Sequence, residues 1–319
     1  MRAIGVTTFG GPEQLHELEL PEPRPGPGEV RIAVRAAAVN PADLAMREGL
    51  GIPPGLAPPY VPGMDVAGVV DDTGPGVDLA VGERVAAVVN PRRPGGGAYA
   101  EQVVVPADSA VRVPESLDLV RAATVPLSGL AATRALDLLH VPLLDPLPSG
   151  PPPSGTLAVT GAAGAVGGCT VQLAARRGVR VVADARDEDA DRVRSLGADV
   201  VLPRGPSFAA AVRATEPGGV VGLVDAAVLG ERMLPALRER GTLVGLRPFD
   251  GRTPRHVSVR LVRPADYLHR ADWLDELFRL VAAGGLALRP VAPVPAAQAA
   301  QAHRLLAAGG ARERPVLLF

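Results

Sequence analysis

Lysine is absent, and all 33 basic side chains are arginine. That absence excludes Schiff-base chemistry on a lysine amine and the lysine of a Walker-type phosphate loop. Cysteine occurs once, as Cys169, so the chain forms no internal disulfide and no cysteine-based zinc centre. Cys169 falls on a small-residue helix, where packing is the expected role. No sign of charge dominates: the net charge is −1. A basic field for nucleic acid is therefore missing, as is an arginine run for an anionic membrane. No run of 18 uninterrupted apolar residues occurs, and MRAIGVTTFGGPEQL lacks the basic region and apolar core of a signal peptide. The expectation is a soluble, cytoplasmic protein with no nucleic-acid or membrane partner. The five histidines, at 16, 140, 256, 269 and 303, show no metal-ligand spacing.

What is present starts with residues 156–167, TLAVTGAAGAVG. An apolar strand runs into Gly161, Gly164 and Gly167, spaced G-x-x-G-x-x-G, then into the apolar-periodic helix CTVQLAARRG and a second strand from Val179 to Ala183. Strand, glycine turn, helix and strand together form the context in which such glycines bind a dinucleotide. Small residues (Gly161, Ala162, Ala163, Gly164) let backbone approach a pyrophosphate. The helix start at Ala165, Val166 and Gly167 offers it unpaired N–H groups and a positive dipole end.

At 319 residues the chain suits two domains. The first 120 residues read as short strands, such as Glu29–Ala38, Val66–Asp71, Arg84–Val89 and Ala100–Val105, between Gly/Pro turns. From Leu119 helices and strands alternate, with a helix expected over Met233–Arg240 and a strand over Thr242–Leu246. That alternation predicts a parallel, doubly wound sheet. The proline-rich stretch 145–155 reads as a surface loop. Asp272–Ala283 is an amphipathic helix stopped by Gly284–Gly285, Pro295–Leu306 a last helix and PVLLF a last strand. The expected division is 1–121 with 286–319 as one domain and 122–285 as the inserted Rossmann domain.

Several segments, in order, resemble the zinc-independent medium-chain dehydrogenases/reductases, in particular NADPH:quinone oxidoreductases. They are AVNPADLAMREG (38–49), VPGMDVAGVV (61–70), VGERV (81–85), GGGAYAEQVVVP (95–106), AATVPLSGLAATRAL (122–136), GAAGAVG, LGAD (196–199) and AAQAHRLLAAGGARERPVL (299–317). The resemblance implies a GroES-like β-barrel domain joined to a Rossmann domain, with the active site in the cleft between them. It also implies NADPH as cofactor (NADH second), a small electrophilic acceptor as partner, and a homodimer pairing through HVSVRLV (256–262) and its neighbour at 242–247. Zinc-dependent relatives place a cysteine and a histidine where this chain has Asn40 and Met64, so no zinc is expected. Hydride delivery to a quinone or an α,β-unsaturated carbonyl then remains, because the product anion is delocalised and needs no Lewis acid. The alternatives are a biosynthetic enoyl reductase of polyketide type and a nucleotide-binding homologue without turnover. Enoyl-thioester reductases of this architecture carry a tyrosine where Gly49–Ile52 stand, and the nearest here is Tyr60.

Beside the nicotinamide, Asn40 either hydrogen-bonds cofactor ribose or substrate or only caps an Asn-Pro turn. Asp43 either carries a proton or caps the helix that follows. Tyr60 and Met64 are candidate substrate contacts. Ala131 replaces a threonine near the nicotinamide, with Ser128 or Thr133 as substitutes. Asp184 and Arg186 stand 17 and 19 residues past Gly167, where an acid favours NADH and an arginine holds a 2′-phosphate. Ala226, Ala227, Gly245, Leu246 and Arg247 end later strands on the ligand side. Arg314 matches a basic residue that the family places near the cofactor, while His303 reads as structural.

Overall fold

A computed structural model describes residues 1–141, 143, 155–254 and 256–319. The chain divides into two compact units, residues 1–127 with 268–319, and residues 128–267. Residues 122–127 and 268–285, expected in the nucleotide-binding domain, cluster with the first unit. Trp273, Leu274, Leu277, Phe278 and Leu280 of helix Ala271–Ala282 are buried, and this helix packs on the strand Ala110–Arg112.

The first unit is built on a seven-stranded sheet. Its path runs Val291–Pro295, Arg314–Leu318, Glu29–Ala38, Asp65–Thr73, Arg84–Val88, Ala110–Arg112, and Gln102–Pro106 also pairs with Glu29–Ala38. Alternation in EVRIAVRAAA sends Val30, Ile32 and Val34 into the core while the residues between them stay partly exposed. The C-terminal strand lies antiparallel to Glu29–Ala38, with Val316 opposite Ala38. The strand Arg314–Leu318 thus joins the sheet built from the first 112 residues. The last helix is Ala299–Ala308, shorter at its start than expected, because Val291–Pro295 is drawn into the sheet.

The second unit is a six-stranded parallel sheet. Leu157–Thr160 comes first in the chain. Val181–Ala185 and Val200–Pro203 lie to one side of it, and Val220–Asp225, Leu237–Gly245 and Ser258–Leu261 to the other. This is the strand order of a dinucleotide-binding Rossmann sheet, whose ligands sit where the order reverses, beyond the C-terminal ends of the first and fourth strands. Helices Ala165–Arg176, Ala190–Ser195 and Phe208–Thr215 make the crossovers. Phe208, Val212, Leu223, Met233 and Leu243 fill one core cluster.

The helix expected over Met233–Arg240 is absent. Gly230–Ala236 is a 3₁₀ turn containing Pro235, and the chain is a strand from Leu237. Pro235 cannot donate to a helical ladder, and Arg240 at φ 58° breaks helical geometry outright. The strand Leu237–Gly245 has neighbours on both sides, so of the two strands expected to pair across a dimer only Ser258–Leu261 lies at an edge. The proline-rich loop expected at 145–155 falls, but for Gly155, outside the described residues. No helix among the described residues is long and apolar enough to cross a membrane.

Candidate active site

In the second unit, the strand Leu157–Thr160 turns at Gly161, which takes φ 65°, a left-handed conformation that glycine adopts without a steric penalty. A Cβ on Gly161 would stand 3.1 Å from the backbone of Ala226 and Ala227; one on Gly164 would lie 2.9 Å from the Gly161 carbonyl oxygen, and one on Gly167 only 2.2 Å from it. The turn closes through Gly164 N–H donating to Gly161 O at 2.8 Å. Helix Ala165–Arg176 then begins with Gly164 as its cap and no side chain on its first N–H groups. A backbone cradle that any side chain would fill, facing a twelve-residue helix N-terminus, suits a diphosphate. Gly161, Ala163, Gly164, Ala165 and Val166 are partly exposed, whereas Ala162 and Gly167 are buried.

Asp184 does not reach outward. Its Oδ1 accepts the Ala162 N–H at 3.2 Å, its Oδ2 is buried without a hydrogen-bond partner, and burial pushes its carboxyl above the ordinary range. Arg186 is half-exposed, with Glu188 3.7 Å from its guanidinium. Two arginines escaped the sequence reading. Arg192 approaches the Ala163 carbonyl at 3.4 Å, and Arg204 follows the next strand and lowers the Asp184 carboxyl electrostatically. Both lie far from the glycines in sequence. Ala226, Ala227, Gly245 and Leu246 are partly exposed and Arg247 is exposed; Ser128 and Ala131 are buried. Thr133, a possible substitute at Ala131, is buried with its hydroxyl unpartnered.

In the first unit the structure brings Asn40, Asp43, Met64 and Arg314 together, but as buried residues. Asn40 Nδ2 donates to Ala38 O and to Asp65 Oδ2, both at 3.0 Å, and its Oδ1 accepts from Arg314 at 2.5 Å. Asp65, which the sequence reading missed, accepts the Leu127 N–H on Oδ1 at 2.6 Å and Arg314 on Oδ2 at 2.8 Å. Arg314 also donates to Thr124 O. Asp43 is fully buried and accepts the backbone N–H groups of Asn40 at 2.8 Å and Gly63 at 3.0 Å; it lies inside helix Pro41–Arg47, whose N-cap is Asn40, and reaches back to it as the acid of a capping box. Burial, opposed by those N–H groups, pushes its carboxyl up to about 7. Behind it, Tyr99 Oη lies 3.4 Å from Asp43 and 3.1 Å from His303 Nε2, and Arg47 lies 3.3 Å from His303 Nδ1. Burial, and then Arg47, pull the His303 imidazole down to about 3, and burial raises the Tyr99 phenol well above its usual range. Tyr60 donates to Leu56 O at 3.0 Å and stacks on Phe9 at 4.6 Å between centroids.

The donors at these positions do not suit zinc. Asn40 has both side-chain groups committed, Met64 is a buried thioether, and both Asp65 oxygens already accept N–H groups, with the Arg314 guanidinium as counterion.

Residues 26–115 match the alcohol dehydrogenase GroES-like domain, and residues 177–317 match the family described as zinc-binding dehydrogenase. The chain is 31% identical to the 2-haloacrylate reductase of a Burkholderia species, over 93% of this chain and 92% of that one. It belongs to the medium-chain dehydrogenase/reductase family and is an oxidoreductase. Among solved structures it is similar to a mycobacterial protein complexed with NADPH, at 29% identity, TM-score 0.82 and full coverage of both chains. It is likewise similar to a quinone oxidoreductase of Pseudomonas syringae, at 26% identity, TM-score 0.85 and coverage of 100% and 99%.

Proposed function

We propose that this chain is an NADPH-dependent reductase that delivers hydride, without zinc, to a quinone or to the β-carbon of an α,β-unsaturated carbonyl. The observation that carries the reading is the cradle at Gly161, Gly164 and Gly167, where a Cβ would collide with backbone and a helix N-terminus faces the space. NADPH bound there supplies the hydride. Gly161, Ala163 and Gly164 admit its diphosphate, and the first N–H groups of helix Ala165–Arg176 stabilise the charge. Arg186 holds the 2′-phosphate, while Asp184 accepts the Ala162 N–H and fixes the turn from behind. Ala226, Ala227, Gly245, Leu246 and Arg247 line the other half of the cofactor. Asn40, Asp43 and Arg314 act indirectly, by fixing the backbone at 38–43, 63–65 and 124–127. Asp43 is too enclosed to give a proton to an acceptor, so the proton that completes reduction comes from water. Tyr60, beside Phe9, is the side chain assigned to the acceptor.

The relatives favour the acceptor class, since a haloacrylate and a quinone are both conjugated electrophiles. The edge strand Ser258–Leu261 supports a homodimer formed by strand addition. The test is NADPH oxidation with benzoquinone and with an enone, in EDTA and then with added zinc. Turnover unaffected by either addition is expected. A chain that binds neither NADPH nor NADH, or turnover that requires zinc, overturns the reading.

A further inference from the structure

The two central strands of the parallel sheet end in a side-chain pair that stands beside the glycine turn without belonging to it. Thr160 closes one strand and Asp225 the other, and the two residues lie in register across parallel neighbours. Thr160 Oγ1 donates to Asp225 Oδ1 at 2.6 Å and accepts the Ala227 N–H at 3.1 Å. Asp225 Oδ2 accepts the Gly230 N–H at 2.7 Å. Both residues are buried. One hydroxyl and one carboxylate therefore pin both ends of the 226–230 turn.

That turn needs holding. Val228 takes φ 57° and Gly230 φ 60°. For β-branched Val228, which is 44% exposed and has little packing to constrain it, a left-handed conformation is uphill. The other face of the turn backs onto Gly161, at the close approach already described. Sheet order then says which half of a dinucleotide the turn meets. With the diphosphate on the glycine turn and the adenosine half toward Asp184 and Arg186, on the Val181–Ala185 side, the opposite half crosses the end of Val220–Asp225.

We propose that Thr160 and Asp225 are positioning residues for the nicotinamide half of the cofactor, holding the 226–230 turn in the shape against which that half lies. The adenosine half and the diphosphate rest on other elements and are independent of the pair. This rests on the nucleotide reading above.

The experiment uses the full chain and its Thr160→Val variant, titrated with NADPH and with 2′,5′-ADP, which carries only the adenosine end. Turnover and thermal midpoint are measured on the same samples. Losing the hydroxyl leaves the Ala227 N–H unpaired, so NADPH affinity falls about tenfold and kcat falls with it. Affinity for 2′,5′-ADP stays within about twofold, a change well under 1.4 kcal/mol. Thr160→Ser, which keeps the hydroxyl, restores NADPH affinity. If Thr160→Val does not fold, Asp225→Asn, equal in shape, is expected to give the same split between ligands. Equal weakening of both ligands, or NADPH binding and kcat unchanged, overturns the role of the pair alone. A wild-type chain that binds neither ligand overturns the nucleotide reading and the pair with it.

Discussion

Replacing His303 by glutamine should expose a pH dependence of stability that the wild-type chain conceals. Asp43 and His303 are both fully buried and are joined through Tyr99, and they titrate in opposite senses. The Asp43 carboxyl rises from 3.8 to about 7, so between those values the folded chain keeps a proton that the unfolded chain has released. Alone, this makes stability fall as pH rises through the window. The His303 imidazole drops from 6.5 to about 3, so between those values the folded chain lacks a proton that the unfolded chain holds. Alone, this makes stability rise with pH. From pH 4.5 to 6.5 the two effects largely cancel, each worth about 1.4 kcal/mol per pH unit where it acts fully. Glutamine preserves polar contacts to Tyr99 and Arg47 but does not titrate. The His303→Gln variant should therefore lose about 2 kcal/mol relative to wild type between pH 4.5 and 6.5. Asp65 and Asp184, whose carboxyls are also raised, are common to both proteins and drop out of the difference. Urea unfolding at four pH values across the window reads it. Parallel stability profiles for the two proteins would refute the reasoning.

Asp65→Asn leaves the Arg314 guanidinium buried without its anion and should cost about 3–5 kcal/mol in urea unfolding; a loss below about 1 kcal/mol would show that the pair is not buried as described. Gly167→Ala puts a methyl against the Gly161 carbonyl, and calorimetric titration should show NADPH affinity reduced by at least about tenfold. Wild-type affinity in that variant would mean that the turn is not the diphosphate cradle. Arg186→Ala should weaken NADPH about tenfold and leave NADH unchanged. Equal loss for both nucleotides would remove Arg186 from the 2′-phosphate.

Where the chain carried its structure in short-range pattern, the sequence was readable. The run EVRIAVRAAA announced a strand, and strand, glycines and helix at 157–176 announced the tight strand-to-helix turn. The apolar spacing of Trp273 to Val281 announced a helix but not which unit it joins, because packing partners leave no local trace. The helix expected over Met233–Arg240 had the right apolar spacing, yet Pro235 and the pull of the parallel sheet decided otherwise. Asn40, Asp43 and Arg314 were each singled out from the sequence, but neither their convergence nor their burial could be read there. Arg314 meets Asp65 across 249 residues, and such a pairing exists only once the sheet is assembled. Asp184 shows the same limit: its position past the glycines fits a ribose ligand, whereas its carboxylate lies behind the turn.

The return of Arg314–Leu318 to Glu29–Ala38 sets an order of events during synthesis. The parallel sheet has all its strands once residue 261 has emerged, so it can consolidate while the ribosome is still working. Residues 1–127, although made before the parallel sheet, must wait with Val316 and Leu317 missing from their interior and Asp65 without a counterion until Arg314–Leu318 appears. The earlier-made unit is thus the later to mature, and its unfinished β-edge is what a chaperone would have to shield.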